Sequence, residues 1–252
     1  MNYRRGNFWE SIPPVTKHLL IINVLLWLGT IVLGRTPGID LTQWLGLHYW
    51  QGSDFNPAQL ITYMFMHDTS SITHLFFNMF SLWMFGVTLE RVLGQKRYLF
   101  YYLACGIGAA LVQELTWTLT WKNTFVPAFA SMNQITPDQV TQLLNTGQLQ
   151  EYINVFHNSL ITVGASGAVF GILLAFGMIF PNMPMYIIPF PFPIKAKWMV
   201  LGYGAVELLF GVASIMSNVA HFAHLGGMIF GFFIILYWKR SGVFGGRGNG
   251  FY

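Results

Sequence analysis

The sequence predicts an all-α membrane protein, a bundle of six transmembrane helices with both termini in the cytoplasm. Three observations carry that reading. Only 9% of the 252 residues are charged while 54% are hydrophobic, and a soluble domain carries about 25% charged residues, so this chain lacks the charge to cover a water-facing surface. Its apolar residues gather into runs near the roughly 20 residues that cross a hydrocarbon core. Lys and Arg are shared unevenly between alternate connections, which sets orientation. The spans are helices because backbone groups in lipid need partners within the segment.

Each element follows in order. The opening "MNYRRGNFWESIPPVTK" (1–17) lacks an apolar core and a small-residue cleavage site, so it reads as a cytoplasmic segment and not as a signal peptide. Run one covers 18–34. The outer loop 35–71 is apolar in patches, "QWLGLHYW" and "LITYMFMH", which suits a segment lying partly in the membrane interface. Run two, 72–89, passes through the inner "ERVLGQKR" to run three, 98–114. An outer insertion at about 115–162 follows; in it "TPDQVTQLL" predicts a short helix with Thr136 as N-cap and Pro137 at the first helical position. Run four, 163–180, leads through the Pro-rich "PNMPMYIIPFPFPIKAK" to run five, 198–215, and run six, 219–238. The core is therefore 18–240, and the Gly-rich tail 241–252 reads as flexible.

With the N-terminus inside, the inner segments hold eleven of the 13 Lys and Arg; only Arg35 and Lys122 lie outside. The net charge of +4 and pI near 9.2 follow from that inner face, so they do not imply a nucleic-acid partner. The single Cys105 excludes an intrachain disulfide. No repeat, phosphate-binding loop or second domain is present in the pattern.

Polar side chains inside spans are costly in lipid, and each is a functional candidate. His74 and Asn78 in "THLFFNMF" are four apart on one helical face, with His67 two turns earlier. Ser166 heads run four in "VGASGAVFG", among Gly164, Gly167 and Gly171. Run five holds Glu207, and run six opens with "AHFAHLGGMIFG", carrying His221 and His224. Runs two, four and six all enter from the outer side, so a serine, an imidazole and two further hydrogen-bonding side chains share one layer of the bilayer. Acyl transfer needs a hydroxyl, a base for its proton and donors for the oxyanion. The N-terminus of run four adds free N–H groups and a positive dipole end. Gly167 and Gly171 on run four, and Gly227 and Gly231 on run six, form small-xxx-small faces that let two membrane helices approach closely, bringing Ser166 and His224 within hydrogen-bond reach.

The residues "GASGAVFG", "HLGGMIFG" and "HLFFN" resemble the Gly-x-Ser-Gly, histidine and His-x-x-x-Asn motifs of rhomboid intramembrane serine proteases. The three fall in order on the expected helices, over the whole six-span core. The resemblance implies a Ser–His dyad without a carboxylate, with Ser166 as nucleophile and His224 as general base. It implies an oxyanion site of His74, Asn78 and the Ser166 backbone N–H, and an aromatic, Phe170, stacked on the histidine. It implies no cofactor, single-span transmembrane substrates cut near the outer face, and residence in a bacterial cytoplasmic membrane. Two features depart from the family: Trp44 and Trp50 lack an adjacent Arg, and the insertion before run four is long. That insertion is expected to tune substrate choice and to leave the chemistry alone.

Alone, Gly-x-Ser-Gly reads as helix packing; with His224, His74 and Asn78 at matching depth it reads as a nucleophile. A non-catalytic rhomboid-fold protein that binds membrane clients is the alternative, opposed by the intact Ser and His. A transporter would need a polar path through the bilayer. A metal site of His221, His224 and His74 lacks a supporting motif. His67 fits either an interfacial structural residue or part of the oxyanion site. His18, His48 and His157 receive no role, and the tryptophans at span ends read as interfacial anchors. Of the pair in "AHFAHLGG", His224 is expected at the serine because it precedes Gly227, while His221, nearer the outer surface, is expected to be solvated and without need of a partner. Glu207 is expected to be a neutral packing or hydrogen-bonding residue that does not orient His224, so that Glu207→Gln retains activity within about tenfold.

Overall fold

The computed structural model describes residues 7–186, 192–213 and 220–244. Arg4, Arg5, the tail beyond 244, the end of run five and the start of run six lie outside them. The helices are α1 (Phe8–Ser11), α2 (Pro14–Leu33), α3 (Leu41–Leu45), α4 (Gln59–Thr62), α5 (Ile72–Leu93), α6 (Gln95–Asn133), α7 (Pro137–Asn145), α8 (Gln150–Ser159), α9 (Ser166–Ile179), α10 (Ala196–Val212) and α11 (His221–Arg240). Two short antiparallel pairs join β1 (Leu47–His48) to β2 (Ile161–Thr162) and β3 (Pro184–Tyr186) to β4 (Pro193–Lys195).

Helices α2, α5, α6 and α11 are long and apolar enough to cross a membrane. Their outward faces carry Leu25, Val32, Phe77 and Phe233, all exposed, as lipid-facing residues are. The protein is an all-α, multi-pass membrane protein. Helix α9 has only 14 residues, about 21 Å at 1.5 Å per residue. It is apolar all round, with Gly167, Val169, Ile172 and Phe176 buried on different sides, the pattern of a helix enclosed by others. It packs against α11, α6, α5 and α10.

Two helix starts explain how the bundle is fixed. The first N–H groups of α2 have no partner within the helix, and Glu90 of α5 supplies one. Its carboxylate accepts from Val15 N–H (2.9 Å), Thr16 N–H (2.7 Å) and Thr16 Oγ1 (2.8 Å). Glu90 is buried, yet it carries three hydrogen bonds and faces the positive end of a helix dipole. The other start is α9 itself, pressed onto α11. A Cβ on Gly227 would collide with the carbonyl oxygen of Gly167, so the two backbones touch where only glycine leaves room. Of the small residues expected to face one another, Gly167 and Gly171 meet Gly227, while Gly231 faces Tyr101 and Cys105 of α6.

The outer side differs from a simple loop. Helix α6 runs 39 residues, about 58 Å, roughly twice a hydrocarbon core of about 30 Å, and so continues well past the expected end of run three at 114. Helix α7 has the expected cap, with Thr136 and Gln139 bonded reciprocally; α8 was not foreseen. Around them Phe125, Ala130, Val140 and Leu149 form a satellite core. The insertion is sewn to the first outer loop by Leu47↔Thr162 and His48↔Ile161. Trp50 adds its Nε1–H to Thr118 Oγ1 (3.0 Å) and its backbone N–H to Glu114 (3.0 Å). His48 and His157, given no role from sequence, are buried within this joint. The His48 ring is 2.8 Å from the Gln43 carbonyl, and His157 stands edge-on to Tyr49 and Trp121.

The Glu90 cap sets a prediction. Glu90→Ala strands two N–H groups and a hydroxyl in a buried site, and hydrogen bonds to a charged acceptor contribute about 1.5–3 kcal/mol each. The thermal midpoint in detergent should fall by several degrees. An unchanged midpoint would show that α2 is held otherwise.

Candidate active site

The serine stands on the first turn of α9, after Gly164 and Ala165. Gly164 has φ +136°, a backbone state that L side chains rarely adopt, and its N–H donates to the Tyr63 carbonyl at 3.0 Å. This turn drops the chain from extended backbone into the helix and leaves the N–H groups of the first turn without helical partners. Ser166 therefore sits at a positive helix end.

Helix α11 brings the base. His224 Nε2 lies 2.7 Å from Ser166 Oγ. The Phe170 ring, one turn along α9, stacks on the His224 ring with centroids 4.3 Å apart and planes 7° apart, which limits rotation of the imidazole. Gly167, Gly227 and Gly231 all lie on the packed α6–α9–α11 seam, where a Cβ would meet Ala109, Gly167 and Tyr101 respectively. The Tyr101 hydroxyl donates to the Gly171 carbonyl at 2.7 Å and ties α6 to the same seam.

His74 faces the serine from α5. A Cβ on Gly164 would lie 3.0 Å from His74 Nε2 and 3.4 Å from Ser166 Oγ, so both atoms border one small space. The Asp68 N–H donates to His74 Nδ1 at 3.3 Å. In a neutral ring the proton is then on Nε2, which makes that atom a donor aimed at this space. Asn78 is buried, and its amide donates to the His74 carbonyl at 2.9 Å; the structure ties it to His74 within α5. Asp68 also accepts Trp27 Nε1–H on its carbonyl at 3.2 Å, fixing this corner to α2. Hydrogen bonds from Ser70 hold the Asp68 carboxyl below its ordinary range.

His67 is 1% exposed, with both ring nitrogens buried. Its ring centroid is 5.2 Å from that of His74. Burial, with the neighbouring His74 adding to it, pushes its pKa down from 6.5 to about 3.

One expectation for α11 fails. His221 is buried and paired, its Nδ1 2.7 Å from Glu207 Oε2; the turn of α11 nearest the outer side is covered by α10, so water does not solvate it there. The same Glu207 oxygen also lies 3.0 Å from His224 Nδ1. That contact has ion-pair distance without hydrogen-bond alignment, and Nδ1 has no other partner. The sequence places Glu207 within a few ångströms of the depth of His224, but depth alone does not say which faces of α10 and α11 meet. Glu207, His221 and His224 offer three metal-ligand atoms within 4.8 Å of one another, a different trio from the His221, His224 and His74 considered from sequence.

A rhomboid domain model matches residues 54–241, three quarters of the chain. Rhomboid protease AarA of Providencia stuartii is 30% identical over 171 residues, covering 67% of this chain and 51% of that protein. Rhomboid protein 1, mitochondrial, of Saccharomyces cerevisiae is 26% identical over 229 residues, 88% of this chain and 56% of the relative. Rhomboid protease GluP of Bacillus subtilis is 29% identical over 192 residues, 75% of this chain and 28% of the relative. The chain belongs to the rhomboid family. It spans about half the length, or less, of these curated relatives.

The buried His67 sets a pH prediction. Above pH 6.5 the ring is neutral folded and unfolded and costs nothing. Between pH 6.5 and about 3 the unfolded chain takes up a proton that the folded one refuses, so stability falls as pH drops, by up to about 1.4 kcal/mol per unit. The thermal midpoint of the wild type should fall between pH 6.5 and 4 more steeply than that of His67→Leu. Parallel slopes would show that His67 protonates in the folded state.

Proposed function

We propose that the protein is an intramembrane serine endopeptidase that cleaves single-span transmembrane proteins near the outer membrane face. The single observation that carries this reading is the 2.7 Å contact between Ser166 Oγ and His224 Nε2, made inside a multi-pass bundle of the rhomboid family. In this reading α9 and α10 complete six spans with α2, α5, α6 and α11. The bias of Lys and Arg supports both termini on the cytoplasmic side, and the reading takes the membrane to be a bacterial cytoplasmic membrane.

The chemistry follows from the geometry. Ser166 Oγ attacks the scissile carbonyl carbon as its proton passes to His224 Nε2, and the carbonyl π pair moves onto oxygen. The oxyanion falls in the space bordered by His74 Nε2–H and the first N–H groups of α9, donors already oriented before reaction. Asn78 supports it by fixing His74, and Phe170 keeps the imidazole plane in place. When the intermediate collapses the C–N bond breaks, its pair stays on nitrogen, and His224 gives that nitrogen the proton. Water, deprotonated by the same imidazole, then releases the acyl group from Ser166. The two named rhomboid proteases among the relatives support the reaction class.

The test is purified protein in lipid with a generic single-span substrate, read by cleavage and by fluorophosphonate labelling of Ser166. The wild type should cut and label; Ser166→Ala and His224→Ala should do neither. His74→Ala should keep its fold and lose about 10²–10³ in kcat, as removal of one oxyanion donor does. Substrate bound but uncut by wild type, with no labelling, would overturn the protease reading in favour of a client-binding protein.

A further inference from the structure

We propose that Glu207 is a positioning residue of the Ser166–His224 pair, a negative charge held by His221 against the far nitrogen of the base; this rests on the protease reading above. Three observations meet at one oxygen. Glu207 Oε2 is 2.7 Å from His221 Nδ1 and 3.0 Å from His224 Nδ1. Glu207 is largely shielded, its side chain 13% exposed, so its charge is poorly screened by water. Among the described residues no other carboxylate lies within ion-pair distance of His224.

The tautomer follows. Nε2 must accept the Ser166 proton, so the neutral His224 ring carries its own proton on Nδ1, facing Glu207. A carboxylate there favours this tautomer over the one that would leave Nε2 protonated and unable to accept. The lack of hydrogen-bond alignment matters as well. In the resting state the contact is between a charge and a neutral ring and holds weakly. Once Ser166 gives up its proton the ring is an imidazolium, and the contact becomes one of opposite charges. The stabilisation is therefore greater in the transition state than in the ground state, the condition for raising kcat without changing KM.

His221 has its own part. Its Nδ1–H to Oε2 bond fixes where the carboxylate stands, and Phe210 of α10 meets the His221 ring edge-on at 5.8 Å. A carboxylate buried with no donor would be costly; His221 supplies the donor and leaves His224 free to take the serine's proton. Glu207 on α10 and His221 on α11 are thus a pair built across two helices, and the base stands one turn away from the donor on the same helix.

The experiment measures kcat and KM for a single-span substrate in lipid for the wild type, Glu207→Gln, Glu207→Asp and His221→Gln, beside Ser166→Ala, with thermal midpoints for each. Glu207→Gln should lower kcat at least thirtyfold with KM within threefold. Glu207→Asp, which keeps the charge, should recover at least a third of the wild-type kcat. His221→Gln should lose less than Glu207→Gln but at least threefold. A Glu207→Gln kcat within threefold of the wild type, or an aspartate variant as poor as the glutamine one in folded protein, overturns the proposal. Should Glu207→Gln fail to fold, wild-type kcat in His221→Gln overturns it, and a reduced kcat there with recovery in Glu207→Asp supports it. The wild type should also keep its rate after exhaustive chelation. A loss restored by Zn²⁺ would overturn the charge role and make the three side chains a metal site. A wild type that neither cuts nor labels would sink the protease reading itself, and that outcome is distinct from all of these.

Discussion

The backbone contact between Gly227 of α11 and Gly167 of α9 is the constraint on which the rest of the bundle depends. Two helices that carry ordinary side chains pack with axes about 8–10 Å apart. The α9–α11 pair is closer than that, and the register of Ser166 against His224 is set by backbone contact. Here each helix presents a small-residue face, and a methyl group on Gly227 would strike the Gly167 carbonyl. In lipid, where apolar contact with a neighbour is no better than apolar contact with acyl chains, this close fit itself holds the helices together. The position of Ser166 relative to His224 is then a property of the interface, and Phe170 only needs to stop the ring from turning.

Buried and half-buried carboxylates of this protein are each placed by a donor from another element. Glu90 faces three donors at the start of α2, Glu114 receives the Trp50 N–H, and Glu207 receives His221. Each joins two elements far apart in the chain, and each would leave a poorly hydrated polar group if its partner moved. Helix α10 shows what this means for mobility. It is buried at Ala196, Met199 and Val200, whereas Leu208, Leu209 and Val212 towards its other end are exposed. At that level the Glu207 contacts, with Gly211 against Phe222, hold it to α11.

Much of the site was legible because its signals are local. Gly-x-Ser-Gly, His-Leu-Gly-Gly and His-x-x-x-Asn each lie within one turn or two of helix, and hydropathy fixes which end of a span they occupy. The cap at Thr136 was legible for the same reason. What the sequence hid are pairings between distant residues. His48 meets the carbonyl of Asn158 at 3.3 Å across 110 positions, and His157 sits between Tyr49 and Trp121; no periodicity announces either. Helix α6 was cut short at 114 because the hydropathy falls there, although a helix leaving the membrane need not stop if another core, here Phe125, Ala130, Val140 and Leu149, takes over. The contacts of Glu207 were hidden for a similar reason, since a lone carboxylate in an apolar run is expected to be neutral until a donor is seen on the next helix.

The two sides of the imidazole show how the local and the distant signals combine. Towards Ser166, His224 is placed by glycines and an aromatic, all within "GASGAVFG" and "HLGGMIFG". Towards Glu207 it is placed by a helix whose sequence carries no recognisable motif. The first side has steric requirements so strict that few residues satisfy them, which is why they read as a pattern. The second asks only for a charge at the right distance with a donor to hold it, and many residue choices on α10 and α11 meet that demand. A requirement of shape leaves a motif in the sequence, whereas a requirement of charge shows only when the helices are seen together.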